Sequence, residues 1–279
     1  MNVKSPSYAG YRGKFSTGEN DQYTSHPLAY HALDVAAVGS VLLRGDPILR
    51  ERLNILHLPE EDLVSLVCFL LAIHDTGKFS TPAFQRMGSP DEIRAGHHSD
   101  LGYRLWKERL LPAAVEDGWL SVDGADLDRF QDIITPLIRA VCGHHGSPPD
   151  EGATALGEAF LPEDAEAAET FAQDCAALFL GGASLPLPAG RETARAMKKV
   201  SWVLAGLCVL ADWIGSDQDY FRFREASLTL GDYFMTVALP CAERAVRDKG
   251  AMPSAPAREC GLIDLFPDQI GRASCRERV

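Results

Sequence analysis

The segment "LVCFLLAIHDTGKFS" (residues 66–80) joins a strongly apolar run to two polar side chains. Its first eight residues carry no charge, and the run then ends in His74 and Asp75. Three acidic residues follow Pro59 at the other end of this apolar region, as suits the positive end of a helix dipole. Burying a histidine or a carboxylate costs free energy unless it has a partner. The sequence therefore predicts a buried helix that ends at a polar partner.

Helical periodicity dominates the rest of the chain, and we find no convincing alternation typical of strands. A helix containing His31 is predicted in "LAYHALDVAAVGSVLL" (28–43), after Pro27. We expect another helix to begin after a capping residue at Ser99 or Asp100. The remaining predicted helices are "DLDRFQDIITPLIRAVC" (126–142) and segments near 162–180, 192–214 and 230–248. The predicted fold class is all-α.

The composition is that of an ordinary globular protein, with 279 residues, 46% apolar and 24% charged. The apolar stretch "VSWVLAGLCVLA" (200–211) is well short of the roughly 20 residues that cross a bilayer. No secretory signal is apparent, so we expect a cytoplasmic protein without a membrane segment. The seven cysteines are scattered without a CxxC pair, which argues against a disulfide framework and a zinc ribbon.

A net charge of -12 predicts weak binding of DNA or RNA by this chain alone. Bound divalent cations or a basic partner would offset part of that charge.

Five histidines and two aspartates fall at the ends of predicted helices or inside apolar runs. They are His31, His74, Asp75, His98, the "GHHG" pair His144 and His145, and Asp212 in "VLAGLCVLADWIGSD". Neutral imidazoles and carboxylates bind first-row divalent metals. One site cannot hold seven protein ligands and keep a position open for water, so the set favours two metals. Such a pair supports hydrolysis of phosphoesters.

Several residues near this set have two interpretations. His97 competes with His98 for one ligand position. Lys78 is placed equally well to contact a phosphate or to stabilise a helix C-terminus. Ser216 is either a donor to a ligand or a turn residue. His26 and His57 are interpreted as surface or capping residues. Four aromatic residues could stack on bases but are more typical of a core, namely Phe79, Phe84, Trp106 and Trp213.

Five motifs occur in an order that resembles a known family. They are "HALDVAAV", "LLAIHDTGKFSTPAFQ", "HHSDLGYRLW", "GHHG" and "LADWIGSD", between about residues 25 and 220. The chain resembles the HD nuclease domain of the CRISPR-associated helicase-nuclease of type I systems, within the HD superfamily. The resemblance implies a helical HD bundle around a dinuclear metal site. It also implies endonuclease and exonuclease activity on single-stranded DNA.

The resemblance also implies roles for individual residues. His31, His74, Asp75 and Asp212 would hold one ion, and Asp75 would bridge to a second ion. His98, His144 and His145 would complete that second site, with His98 preferred to His97. Asp75 and Lys78 are the expected catalytic residues. The sequence leaves manganese, iron, cobalt and nickel open.

The resemblance further implies a division of the chain and a set of partners. We expect an N-terminal extension (1–24), an HD nuclease domain (25–250) and a linker toward a helicase (251–270). The composition of residues 271–279 separately indicates a disordered or non-native tail. No GxxxxGK[ST] motif is present, so the helicase would be a fused or associated domain. Single-stranded DNA and an RNA-guided CRISPR surveillance complex would be the other partners.

Two other functions fit the same residues. One is an HD-type phosphohydrolase of nucleotides or cyclic nucleotides, which would ignore closed circular DNA. The other is an interaction module that metal stabilises without turnover.

Overall fold

The computed structural model describes residues 6–17, 23–86, 96–150, 154–182 and 184–253. The expected linker and tail lie almost wholly outside these residues. The structure therefore leaves the proposed division of the chain as a prediction.

Helices form most of the described structure, which confirms the all-α class. The helices are α1 (Leu28–Gly45), α2 (Pro47–Leu53), α3 (Glu60–Ala72), α4 (His98–Leu105), α5 (Leu111–Glu116), α6 (Leu127–Cys142), α7 (Leu156–Ala159), α8 (Pro162–Leu180), α9 (Arg191–Gly215), α10 (Leu230–Tyr233) and α11 (Leu239–Asp248). The strands are β1 (Arg12–Thr17), β2 (Tyr23–Pro27), β3 (Ser121–Val122) and β4 (Ser184–Leu185). A π-helical turn joins α4 to α5, and another joins α10 to α11. No described helix has the length and apolar composition needed to span a membrane.

Helix α1 is the centre of the bundle. Almost every side chain between Leu28 and Leu43 is buried, on all faces of the helix. A helix that is apolar all round is expected to be enclosed by others, and α1 packs against α3, α9 and α11. His31 lies in this buried helix and has no exposed surface. The sequence prediction of a helix containing His31 is confirmed.

Two more packing relations bring helix ends together. Helix α6 packs along α9, and the start of α4 packs on the turn that follows α3. Both α3 and α6 end where the sequence turns from apolar residues to histidines, as predicted. Helix α4 begins earlier than expected, at His98, because the side chain of His97 caps it by accepting a hydrogen bond from the backbone N–H of Ser99 at 3.3 Å.

Two small sheets were not predicted. Strands β1 and β2 form an antiparallel hairpin, and β3 pairs with β4 in parallel over two residues. Strand β1 reads "RGKFST" and has no regular alternation of apolar and polar residues, so periodicity could not find it. The hairpin packs on α1 and places Lys14 next to the polar cluster described below.

The expectation that His26 is a surface or capping residue is wrong. Only 2% of His26 is exposed, and its Nε2 lies 2.9 Å from Oδ2 of the buried Asp34. The hydroxyl of Tyr233 donates to the other Asp34 oxygen at 2.9 Å, and the His26 ring stacks on Phe223. This network ties β2 and α10 to α1. Asp34, the polar partner that offsets the cost of burying His26, lies in the next element, and the strand that carries His26 was not predicted, so the pairing was missed.

The four aromatic residues with two interpretations divide into two groups. Phe79, Phe84 and Trp106 belong to the core, as expected of aromatic residues at helical spacing. Trp213 is instead 73% exposed. The five cysteines in the described residues are all free, and four of them are buried.

Candidate metal centre

Asp75 lies in the turn after α3 and is 2% exposed. Its Oδ2 atom is 3.3 Å from Nε2 of His31 and 3.3 Å from Nε2 of His74. Its Oδ1 atom is 3.4 Å from Nε2 of His98 and 3.5 Å from Nε2 of His144. The two oxygens of one carboxylate therefore face two different pairs of imidazoles.

Two of these histidines are oriented by the same device. The Nδ1–H of His74 donates to the carbonyl of Leu71 at 2.7 Å, and the Nδ1–H of His144 donates to the carbonyl of Val141 at 2.9 Å. Each histidine thus bonds back to the residue three positions earlier, at the end of its helix. Because Nδ1 carries the proton, Nε2 presents a lone pair toward Asp75.

Asp212 joins the cluster from α9. Its Oδ1 atom is 3.3 Å from Nε2 of His31 and accepts a hydrogen bond from Oγ of Ser216 at 2.9 Å. Ser216 therefore contacts a candidate ligand, which decides between its two interpretations. Lys14, from β1, donates in turn to Ser216. Sequence reasoning missed Lys14 because it lies in an irregular strand far from every histidine motif.

His98 and His145 meet at the more exposed side of the cluster, where their Nε2 atoms are 2.9 Å apart. His97 and His145 are exposed, whereas the side chain of His98 is only 14% exposed and reaches Asp75. The Nδ1 atom of His97 is held by Ser99 instead. His98 reaches Asp75, but His97, His98 and His145 also bring ligand atoms within 4.8 Å of one another, so the preference for His98 over His97 stays a prediction.

A close approach of two backbones sets the position of His98. A Cβ atom on Gly77 would lie 1.8 Å from the carbonyl oxygen of His98, and one on Gly102 would lie 2.9 Å from the Gly77 nitrogen. Nε1 of Trp106 also donates to Oγ1 of Thr76 at 3.0 Å across this contact. Glycine at both positions lets α4 reach the turn that carries Asp75.

Lys78 is buried beside Asp75, with Nζ 2.5 Å from Oδ2. Its ammonium group therefore pairs with the carboxylate that the histidines surround. At this position Lys78 could also contact a phosphate bound at the same site. The ion pair with Asp75 accounts for the burial of Lys78 without the stabilisation of a helix C-terminus.

Burial keeps most of these histidines neutral. Desolvation lowers the pKa of His98 to about 2 and that of His144 to about 3. Burial likewise lowers the pKa of His31 and that of His145, although His145 is less completely enclosed. Neutral imidazoles are the form that binds metal.

The carboxylates stay ionised despite being enclosed. Burial raises the pKa of Asp75, but Lys78 and His74 outweigh it, so that the pKa lies well below its ordinary value. Burial also raises the pKa of Asp212, but the His31 imidazole 3.3 Å away reverses the shift, so that the pKa lies below its ordinary value. His74 is the exception among the imidazoles, because Asp75 raises its pKa although burial acts to lower it.

Four buried atoms at the centre of this cluster make no hydrogen bond within the described residues. They are Nε2 of His31, His74 and His144, and Oδ1 of Asp75. Leaving such atoms without partners costs roughly 1–3 kcal/mol each. Nitrogen and carboxylate oxygen atoms that converge in this way fit a divalent metal ion. The structure thus brings all seven predicted ligands into one cluster, and their individual roles stay predictions.

Comparison with protein families adds an independent finding. Residues 13–221 match the family model described as "Cas3, HD domain". This chain belongs to the Cas3 HD-domain family. The match begins within the hairpin that carries Lys14 and ends shortly after Asp212, so it includes every element that contributes to the cluster.

Two curated Cas3 proteins are similar to this chain, and both are called "CRISPR-associated endonuclease/helicase Cas3". The protein of Thermus thermophilus is 30% identical over 87% of this chain, and that of Escherichia coli K12 is 29% identical over 75%. This chain spans about a quarter of the length of each, with 26% and 25% covered.

Solved structures agree with this assignment. A structure titled "Crystal structure of CRISPR-associated protein" matches with a TM-score of 0.71 and 26% identity, over 94% of this chain and 29% of that one. The Cas3 HD domain of Thermus thermophilus, solved in the presence of Ni2+, matches with a TM-score of 0.56 and 27% identity, over 84% of this chain and 90% of that domain.

Proposed function

We propose that this chain is a metal-dependent nuclease domain that hydrolyses phosphodiester bonds of single-stranded DNA during CRISPR interference, both within a strand and from its ends. The observation that carries the proposal is the division of the Asp75 carboxylate between two sets of imidazoles. Membership in the Cas3 HD-domain family and the endonuclease names of the two curated relatives support it.

The proposed ligands form two groups around Asp75. Three side chains lie on the Oδ2 side, namely His31, His74 and Asp212. Three lie on the Oδ1 side, namely His98, His144 and His145. A carboxylate between two such groups is suited to bridge two divalent transition-metal ions, with manganese, iron, cobalt and nickel as the candidates.

When bound, divalent ions supply Lewis-acid activation of water and neutralise negative charge on a phosphodiester. The chain itself contributes a fixed set of donors. Asp75 stays ionised in a buried site because Lys78 pairs with it. Backbone carbonyls in the last turns of α3 and α6 hold His74 and His144 with Nε2 toward the centre. We propose that Lys78 also contacts a phosphate oxygen of the substrate.

We further propose that this domain works with a helicase and with an RNA-guided surveillance complex. The two curated relatives are named as endonuclease and helicase together, and this chain covers only about a quarter of them. The net charge of -12 agrees, because a partner with a basic surface would supply the attraction for DNA that this chain lacks overall.

The test uses circular single-stranded DNA, which has no ends. Metal-stripped protein is resupplied with manganese, cobalt or nickel, and the products are separated on a gel. We expect the wild type to linearise and then degrade the circles, and Asp75→Ala to leave them intact. Asp62→Ala is the matched control, because Asp62 is an exposed carboxylate at the start of α3.

The same protein samples separate the other two functions. Hydrolysis of a nucleotide or cyclic nucleotide with intact circles would contradict the nuclease and indicate a small-molecule phosphohydrolase. A metal-dependent rise in melting temperature without hydrolysis of any phosphoester would indicate an interaction module.

A further inference from the structure

One face of α9 carries cations at its start and exposed tryptophans further along. Arg191, Arg195 and Lys198 recur at intervals of four and three residues, and Trp202 and Trp213 continue the same helical stripe. All three cations are exposed. Trp202 is 78% exposed and Trp213 is 73% exposed, whereas every other tryptophan in the described residues is at least partly buried.

This stripe borders a groove between α6 and α9. The groove has a volume of about 1130 Å³, with Lys198 and Trp202 on one wall and Arg139 on the other. A smaller hollow of about 290 Å³ shares Lys198 with the groove and is also lined by Arg191 and Arg195. Together they form a continuous depression along the stripe.

The walls of this depression are basic, although the chain as a whole is acidic. Five cations face two carboxylates, Asp128 and Asp132. One of these carboxylates is already neutralised, because Arg129 lies 3.2 Å from Asp132. The three cations of the stripe make no ion pair within the described residues. Like charges at this spacing destabilise a helix, so a polyanion bound here would relieve their repulsion.

The depression leads to the metal centre. Its far end is lined by Gly143 and Gly146, which flank the two histidines of the "GHHG" turn. Further along α9, beyond the residues that line the groove, Trp213 directly follows Asp212. A strand lying along the stripe would therefore reach the side of the cluster where His145 is exposed.

We infer that this depression binds the single-stranded DNA that the metal centre cuts. The phosphates lie against Arg191, Arg195 and Lys198, and unpaired bases stack on Trp202 and Trp213. Cations together with exposed aromatic rings are the combination that holds single strands without reading their sequence, since every base has a face that stacks. The inference rests on the proposed nuclease function, because that function makes a single strand the ligand.

Binding is tested separately from cleavage, with the metal-free full chain and a fluorescently labelled oligothymidylate. We expect Arg195→Glu to weaken binding about tenfold or more through the lost phosphate contact and added repulsion. Trp202→Ala should weaken it by about fivefold or more through lost stacking. The matched controls are Lys199→Glu and Leu210→Ala, which change exposed residues of α9 outside the depression. We expect them to change the affinity less than about twofold.

A second measurement does not depend on the behaviour of variants. An oligonucleotide containing 5-iododeoxyuridine is irradiated with the wild type, and the linked peptide is identified by mass spectrometry. Cross-links at Trp202 or Trp213 support the inference. Cross-links confined to other parts of the chain, equal affinities for Arg195→Glu and Lys199→Glu, or equally tight binding of duplex DNA would each overturn it.

These outcomes are distinguishable from failure of the proposed function. If DNA binds along the stripe but the wild type shows no metal-dependent cleavage, the inferred DNA-binding depression is supported and the proposed nuclease function is contradicted. If the wild type cleaves DNA and the stripe variants bind it with unaltered affinity, the nuclease function is supported and DNA binding in the depression is overturned. The exposed tryptophans would then be a surface for a protein partner.

Discussion

Asp75 is the residue on which both halves of the metal centre depend. Asp75→Asn keeps the shape of the side chain but removes the charge that faces His31, His74, His98 and His144. We expect nuclease activity to fall by at least about 100-fold. Mutating a residue that only hydrogen-bonds to a metal ligand already lowers metal affinity or activity by about 10–100-fold. Activity on single-stranded DNA with added manganese measures the effect. Wild-type turnover in Asp75→Asn would contradict the two-metal assignment.

Lys78 should matter less than Asp75 once metal is bound. In the metal-free protein, Lys78→Ala removes the cation that pairs with a buried carboxylate, which costs about 3–5 kcal/mol in typical cases. Divalent ions replace that positive charge. We therefore expect the melting temperature of metal-free Lys78→Ala to fall clearly and added metal to restore much of it. Lys199→Ala, an exposed lysine, is the control. An equal deficit with and without metal would contradict this role.

Acid should destabilise the metal-free protein before its carboxylates titrate. The folded-state pKa values of His98 and His144 lie at about 2 and about 3, whereas an unfolded histidine has a pKa of about 6.5. Below about pH 6.5 the unfolded chain binds protons that the folded chain does not, so the free energy of unfolding falls by up to about 1.4 kcal/mol per pH unit for each histidine.

The other titrating groups do not change the sign of this prediction. The pKa of Asp75 and Asp212 is lowered, so they remove stability only as the pH falls below about 5. The raised pKa of His74 leaves it protonated in both states below about pH 6.5. Urea denaturation at about pH 7 and about pH 5 in a chelator measures the slope. Greater stability at the lower pH would contradict the burial of neutral histidines.

At the residue scale, the sequence predicts the cluster well where polar residues interrupt apolar runs. His74, Asp75 and Asp212 stand out for that reason, since burial without a partner would be costly. The same reasoning does not identify His26 and Lys14 as buried or cluster residues. Their partners, Asp34 and Ser216, come from other elements, and nothing in the local sequence announces them.

At the scale of elements, the close approach of α4 to the turn after α3 sets the geometry of the centre. Gly77→Ala would place a Cβ atom 1.8 Å from the carbonyl oxygen of His98, so α4 must move. Overpacking of this kind costs about 1–3 kcal/mol. We expect a lower melting temperature and loss of activity, because His98 moves away from Asp75. Thermal unfolding and the nuclease assay measure the two effects.

Gly157→Ala is the matched control for this variant. Gly157 lies in α7, and no atom would contact an added Cβ there. We expect unaltered activity and equal or slightly higher stability, because alanine reduces the freedom of the unfolded chain. Unaltered activity in Gly77→Ala as well would show that the position of α4 does not matter for the centre.

Element boundaries were predictable where periodicity was long. Segments 162–180 and 192–214 correspond to α8 and α9 to within one residue, and 230–248 is a helix throughout, with a π-helical turn inside. The short strands were not predictable, because two to six residues give no period. The start of α4 was misplaced because a histidine rather than Ser99 or Asp100 caps it.

At the scale of the whole molecule, the candidate ligands tie together α1, α4, α9 and the turns after α3 and α6. Metal binding should therefore stabilise the whole domain. An ion at 100 times its dissociation constant adds about 2.7 kcal/mol, which corresponds to roughly 5–10 °C in melting temperature for a domain of this size. Calorimetry with manganese and with a chelator measures the shift. No shift in the wild type, or an equal shift in Asp75→Asn, would contradict binding at this cluster.

The arrangement of helices in space was beyond the sequence. The individual helices follow from their periodicity, but which ends meet depends on packing of α1 against α3 and of α6 against α9. The placement of the seven side chains at helix ends and in apolar runs grouped them as candidate ligands, and only the family resemblance divided them between two ions. The basic depression could not be predicted from the sequence either, because Arg139 and Lys198 belong to different helices and come together only through packing.

Anomalous diffraction from crystals soaked in manganese tests the central claim most directly. We predict two peaks about 3.5–4 Å apart on opposite sides of the Asp75 carboxylate. One peak should lie next to His31, His74 and Asp212, and the other next to His98, His144 and His145. A single peak, or peaks that do not contact Asp75, would contradict a dinuclear centre bridged by this residue.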